Sequence, residues 1–200
     1  RGYPVKPIAI SVNRRYTGKL QQGDKRWEDH TTSFAIEVLD IPGIVDAIRS
    51  GHATTAAHHT RRHSDNFISA QHIGLDSDTE TDESKIENVL ALPLVAEHAA
   101  IVHTSSSHKP NKPRCRVLFI LDEPVRDART YAKYAAALVW KHSLVDQKCT
   151  DAARLWFGAK DCDVVVRPEK VLPVSVLQTL ADQHEQHLAE MERLQDVDLS

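Results

Sequence analysis

The chain has 200 residues, 41% hydrophobic and 26% charged, with a formal net charge of −3 at pH 7, which is the profile of a globular protein long enough to bury a substantial core. That balance excludes a disordered tail or a uniformly basic coat, so any nucleic-acid contact must come from a local patch. No apolar run reaches the roughly 18 residues needed to cross a bilayer and no export signal opens the sequence, so the chain reads as cytoplasmic and without a membrane partner.

Residues 7–12 (PIAISV) predict a first strand, and 16–26, with Gly18 and Gly23, a loop. Phe34 to Leu39 predict a second strand or the lead into a helix near 43–50 that Gly51 ends. Residues 52–66 are polar and basic, carrying Arg61 and Arg62, and hand over to a short strand that runs through Phe67, Ile68, Ile73 and Leu75 and ends near Asp78. Ser84 and Glu87 have capping-box spacing, and Pro93 interrupts the helix they would start. Ala100 to Thr104 and Arg114 to Leu121 predict two strands, joined by a turn-rich loop at 105–113 and therefore antiparallel neighbours.

Asp127 can cap a helix with Tyr131, Tyr134, Ala135, Leu138 and His142 along one face. Leu144 to Asp146, Ala153 to Gly158 and Val164 to Val166 are extended candidates. From Ser175 onward, Leu177, Leu180, His184, Leu188, Met191 and Leu194 recur at helical spacing. This divides the chain into a catalytic-sized unit over 1–173 and a terminal helix over 174–200 that ends without a cap, as if leading into a further region. Interleaved strands and helices place the fold in the α+β or α/β class, with a mixed or antiparallel sheet favoured over a purely parallel one.

Three cysteines, Cys115, Cys149 and Cys162, form no CxxC pair, which argues against a disulfide framework. Twelve histidines invite a zinc reading, but His142, Cys149 and Cys162 match no compact zinc template, and His52, His58, His59 and His63 read as a polar loop.

The chemistry concentrates in "HIGLDSDTE", residues 72–80. On a strand, positions i and i+2 share a face, so Asp76 and Asp78 would point the same way, with Ser77 opposite. Two neighbouring carboxylates repel unless a cation lies between them, and a hard divalent ion is the natural partner. Two ions about 3.5–4 Å apart serve in-line nucleotidyl displacement and need a further acid; Asp146 is the choice for it, with Asp151 and Asp161 competing and helix capping a sufficient account of Asp151. The Ser106-Ser107-His108 turn could hydrogen-bond a phosphate. Lys112, Arg114, Arg116 and Arg154 are candidate phosphate clamps, and Arg61, Arg62 and Lys109 candidate template contacts. Taken singly, these residues have plain structural roles: an isolated acid pair is commonly a turn or cap, and Arg116 could pair with an acid such as Asp122.

In their order along the chain these elements resemble the archaeo-eukaryotic primase superfamily, in particular the primase-polymerase domains of phages, plasmids and other mobile elements. Leu75-Asp76-Ser77-Asp78 is similar to its first motif, Ser106-Ser107-His108 to its second and Val145-Asp146 to its third. The stretches "RCRVLFILDEPV" and "DAARLWFGA" look like the segments after the second and third, and the resemblance spans residues about 50 to about 160. Ser77 is small and polar where the family usually has a hydrophobic residue.

The resemblance implies an N-terminal α/β unit packed on an RNA-recognition-motif-like sheet that carries the acids. It implies template-directed nucleotidyl transfer in replication of a mobile element, on single-stranded DNA with nucleoside triphosphates, in the host cytoplasm. Asp76, Asp78 and Asp146 would be catalytic ligands of two Mg²⁺ or Mn²⁺ ions, and Ser106 and His108 would contact the nucleotide's phosphates. A helicase follows this domain in many relatives. A metal-dependent nuclease or phosphoesterase, and a non-catalytic replication-initiation DNA-binding module, are the competing functions, since paired aspartates serve hydrolysis equally well.

Overall fold

The computed structural model describes residues 6–21, 23–142 and 151–198, with backbone only for 197 and 198. Strand β1 (Ile8–Asn13) leads through a loop to helix α1 (Trp27–Thr32), strand β2 (Ala35–Leu39) and helix α2 (Ile41–Arg49). Asp40 caps α2 by accepting the backbone N–H of Gly43 at 2.9 Å, and Gly51, at φ +88°, closes its end. Strands β3 (Ala53–Thr55) and β4 (Ala57–His58) precede the long β5 (Phe67–Ser77). Two short helices follow, α3 (Ile86–Leu90) and α4 (Pro93–His98), with Pro93 in the first turn of the second, where a missing N–H costs nothing.

Strand β6 (Ile101–Thr104) and strand β7 (Cys115–Val125) form the predicted antiparallel pair, with Thr104 opposite Cys115. Asp127 caps helix α5 (Ala128–Lys141) by accepting the Thr130 N–H at 2.8 Å. Strand β8 (Leu155–Trp156), strand β9 (Val164–Val166) and helix α6 (Val174–Asp198) complete the order.

Two antiparallel sheets result. The first runs β2-β1-β3-β8 and the second β4-β5-β7-β6-β9. Strand β7 is buried on both faces, which is why its sequence reads as a near-continuous apolar run. Val117, Phe119 and Leu121 join a core with Val89, Val95, Tyr131, Leu138, Leu177 and Leu180 from the helices. Leu118 and Ile120 face the other way, onto Ile8, Ile10 and Val12 of β1 and Ile44 and Ile48 of α2. The chain is thus α+β, with an N-terminal α/β unit packed on the sheet that carries Asp76.

The expected capping box does not form. Lys85 precedes α3 without a side-chain cap, and Ser84 is instead buried against Ser77 Oγ at 2.8 Å, Thr79 Oγ1 at 2.7 Å and the Thr79 N–H at 3.0 Å. A short 3₁₀ turn at Asp82–Ser84 turns the Ser84 hydroxyl into this network, and the network outbids the helix end for it. The extended segment at 153–158 contracts to β8, because the backbone at Gly158 runs against Gly51 and His52. A Cβ on Gly158 would lie 2.3 Å from the Gly51 carbonyl carbon, so only glycine permits that approach.

Candidate active site

An open cleft of about 380 Å³ is walled by the end of β5, the β6–β7 loop, the segment around β8, and Lys19 and Trp27 of the N-terminal unit. Asp76 sits on β5 directly opposite Arg116 on β7, and Arg116 is in turn opposite His103 on β6. The Arg116 Nε donates to Asp76 Oδ1 at 2.6 Å, and an Arg154 amine donates to Oδ2 at 2.7 Å. These side chains are 18%, 11% and 16% exposed for Asp76, Arg116 and Arg154. Burial alone would raise the Asp76 pKa, but the two guanidinium groups outweigh it and hold the carboxyl below its ordinary value. Arg116 also donates to the Phe157 carbonyl at 2.7 Å, tying β8's far end to the acid.

Asp78, one residue beyond the strand, lines the same cleft as Asp76. The turn after it is fixed by the buried Ser77–Ser84 hydroxyl pair, which gives Ser77 a structural role that a hydrophobic residue could not fill. Ser106 lines the cleft with Ser105 and Ser107. His108 does not line it; its Nδ1 accepts the Arg114 N–H at 3.1 Å, which bridges the β6–β7 loop and leaves the ring proton on Nε2.

Among the cationic candidates, Arg62, Arg114, Arg116 and Arg154 line the cleft. Arg114 pairs with Glu80, and Lys112 reaches the same Glu80 at 3.2 Å from outside the cleft wall. Arg62 donates to the Ala153 carbonyl. Arg61 is turned away and forks onto Glu28 at 2.6 and 2.9 Å, and Lys109 is exposed in the hairpin turn opposite Lys112. Asp146 and Val145 lie outside the described residues. Of the competing acids, Asp151 lines the cleft while its Oδ1 accepts the Ala153 N–H at 2.8 Å, and Asp161 is remote from the cleft, its N–H on the Arg49 carbonyl at 3.1 Å.

Lys19 and Trp27 also line the cleft and carry no motif in the sequence, and Phe157 joins them from the "DAARLWFGA" stretch. The one signal was compositional: Trp27 lies between Lys25, Arg26 and acids in a segment too polar to need a tryptophan for its core. His103 is equally silent in sequence. It is buried beside Arg116, and burial first, then the neighbouring guanidinium, pushes its pKa down to about 4.

No family model matches the chain, and no curated protein matches it by sequence. Its fold matches that of a solved structure, the AEP domain of the cyanophage S-2L primase-polymerase (PrimPol), at a TM-score of 0.54 and 10% sequence identity, over 86% of this chain and 89% of that one. The fold is that of a primase-polymerase domain. On that fold, Asp76 and Asp78 are paired hard oxygen donors at one strand end. A magnesium-type ion is held by one or two carboxylates, with water and substrate phosphates in its remaining positions, and Asp76 and Asp78 are the residues that would supply them here. Arg116 and Arg154 take three of the roughly four lone-pair positions on Asp76. No group of three His, Cys, Asp or Glu side chains suited to a metal occurs among the described residues. No helix among them is long and apolar enough to cross a membrane.

Proposed function

We propose that the chain is a template-directed nucleotidyltransferase of the primase-polymerase kind, joining nucleotides on single-stranded DNA in the replication of a mobile element. The observation that carries this is the meeting, in one cleft on a primase-polymerase fold, of two adjacent carboxylates with four arginines. Mg²⁺ or Mn²⁺ at Asp76 and Asp78, and in a two-ion arrangement at Asp146 as well, would lower the pKa of an attacking 3′-hydroxyl and neutralise the leaving pyrophosphate.

The chain's own residues do the rest. Arg116 and Arg154 keep Asp76 ionised at neutral pH, so it is ready to act as a ligand without first losing a proton. Two guanidinium groups on one carboxylate leave a local excess of positive charge, which attracts a triphosphate. Arg154 and Arg114 offer planar forks for its oxygens. The Ser105–Ser107 turn presents hydroxyl donors beside them, and the Nε2–H of His108 remains available to a phosphate oxygen at the loop's edge. Template strand would run in the cleft between the two sheets. A downstream helicase region would suit α6.

The test supplies a single-stranded DNA template, labelled ribo- or deoxynucleoside triphosphates, and Mg²⁺ or Mn²⁺. New strands that disappear in Asp76→Asn and Asp78→Asn support the reading. Shortened template without new strand would transfer the site to a phosphoesterase. Salt-sensitive DNA binding that ignores both substitutions, with no product, would make the chain a binding module.

A further inference from the structure

Trp27 keeps 36% of its surface exposed, on the cleft wall, in a six-residue helix that buries only His30 and Thr31. The ring is backed by other rings. His30 stacks on it at 5.9 Å between centroids with an 18° interplanar angle. His30 is itself enclosed by Tyr16 at 5.6 Å, Phe34 at 5.3 Å and Phe157 at 5.7 Å. Burial lowers the His30 pKa, so the ring that backs Trp27 is neutral at pH 7.

Four further hydrogen bonds tie the helix down. The His30 carbonyl accepts the Asn13 side-chain amide at 2.9 Å, the Thr31 carbonyl accepts the Arg62 N–H at 3.2 Å, and Glu28 is forked by Arg61. Phe157 stands 6.4 Å from Trp27 and also lines the cleft. Its carbonyl is bonded to the Arg116 that clamps Asp76. An aromatic plate thus shares one cleft with the acids, and Lys19 and Arg62 line the same wall. A ligand that satisfies both ends has a polyanionic head and a flat π-face at its other end.

We propose that Trp27, with Phe157 at its side, forms a stacking shelf for the base of the incoming nucleoside triphosphate, whose phosphates lie against Asp76, Asp78 and the cleft arginines. This rests on the polymerase reading and adds the subsite that reads the nucleotide's flat end. Stacking is tolerant of base identity because every base has a π-face, so the shelf confers affinity without choosing among the four bases. The neutral, wedged His30 is a positioning residue that keeps the indole from collapsing onto Phe157.

Two ligands separate the shelf from the phosphate site. Equilibrium binding of each of the four deoxynucleoside triphosphates is compared with binding of inorganic tripolyphosphate, which has no base. In Trp27→Ala the nucleotides weaken about 5- to 140-fold, equivalent to about 1–3 kcal/mol at 1.4 kcal/mol per tenfold, while tripolyphosphate is unchanged. Trp27→Phe restores most of the nucleotide affinity. Nucleotide should quench indole emission in the wild type, and Trp27→Phe should lose that quench, with Trp140 and Trp156 left as internal controls.

Equal losses for nucleotide and tripolyphosphate, or nucleotide binding unchanged in Trp27→Ala, overturn the shelf and leave the polymerase reading standing. A loss confined to single-stranded DNA binding also overturns it, by giving the plate to the template. A wild-type protein that binds neither nucleotide nor tripolyphosphate overturns both proposals together.

Discussion

Replacing Arg116 with methionine tests the electrostatics of the cleft, because methionine keeps the unbranched stem of the side chain and removes the guanidinium with its charge and donors. Asp76 and Arg116 are largely withdrawn from solvent. Removing one partner of a fully buried ion pair costs about 3–5 kcal/mol, most of it from the charge left behind. Here Arg154 still holds Asp76 Oδ2 at 2.7 Å, which reduces that figure, while the Phe157 carbonyl loses its 2.7 Å donor, which restores about 1 kcal/mol. The expected destabilisation is about 2–4 kcal/mol near pH 7, measured by urea unfolding.

Its pH dependence has a definite sign. In the wild type the Asp76 pKa is depressed, so Asp76 adds stability above its unfolded pKa and loses it as pH falls through the folded one. In Arg116→Met the burial effect, which raises the pKa, is opposed only by Arg154, and the folded pKa moves upward. The stability gap between variant and wild type is therefore widest at neutral pH and narrows as acid protonates Asp76 in the variant. Adding Asp76→Asn to Arg116→Met should recover part of the loss, since the stranded charge is gone. Parallel pH profiles for the two proteins, or a strictly additive double variant, would refute the claim that Asp76 is a buried anion held by two cations.

Three other outcomes follow from local geometry. Gly158→Ala forces a Cβ against the backbone of Gly51 and His52, and should cost about 1–3 kcal/mol in urea unfolding; an unchanged midpoint would mean the two segments do not approach so closely. His72 and His103 are both pushed down to about 4, by burial foremost, so the unfolded chain binds more protons than the folded one between pH about 6.5 and about 4. Stability should fall across that window by on the order of 3 kcal/mol per histidine, and His72→Phe should flatten the slope. Ser84→Ala removes the hydroxyl that joins Ser77 and Thr79, and should cost about 1–3 kcal/mol and weaken Mn²⁺ binding measured by calorimetry, because the turn that presents Asp78 loosens.

The fold's elements were readable where one residue pattern had one physical solution. The alternation of Val117, Phe119 and Leu121 against Leu118 and Ile120 required a strand buried on both faces, and Asp127 before Tyr131 and Tyr134 required a capped helix with one apolar face. Ser84 was misread because a hydroxyl three residues before a glutamate looks the same whether it caps a helix or satisfies another hydroxyl. The deciding partner, Ser77, lies on a strand whose burial depends on tertiary packing. The length of β8 was hidden for a like reason. Leu155 and Trp156 pair with β3, and what ends the pairing is a backbone approach to Gly51, more than a hundred residues away in sequence.

The site divides along the same line. Arg116 and Asp76 lie on strands legible in the sequence, Asp78 and Arg114 one residue beyond strand ends, Ser106 and Arg154 in the adjoining loops, and topology carries all six to one cleft. Arg61 and Arg62 show what spacing cannot decide. They are adjacent and chemically identical, yet Arg62 turns into the cleft while Arg61 forks onto Glu28, because one step along an irregular loop reverses direction and the partner on α1 captures whichever guanidinium faces it. Trp27 sits next to that glutamate, so the ion pair that removes Arg61 from the cleft also anchors the helix that puts an indole there. A basic residue expected to touch a ligand is held off the cleft, and the same bond anchors the helix that sets an aromatic side chain in the cleft wall.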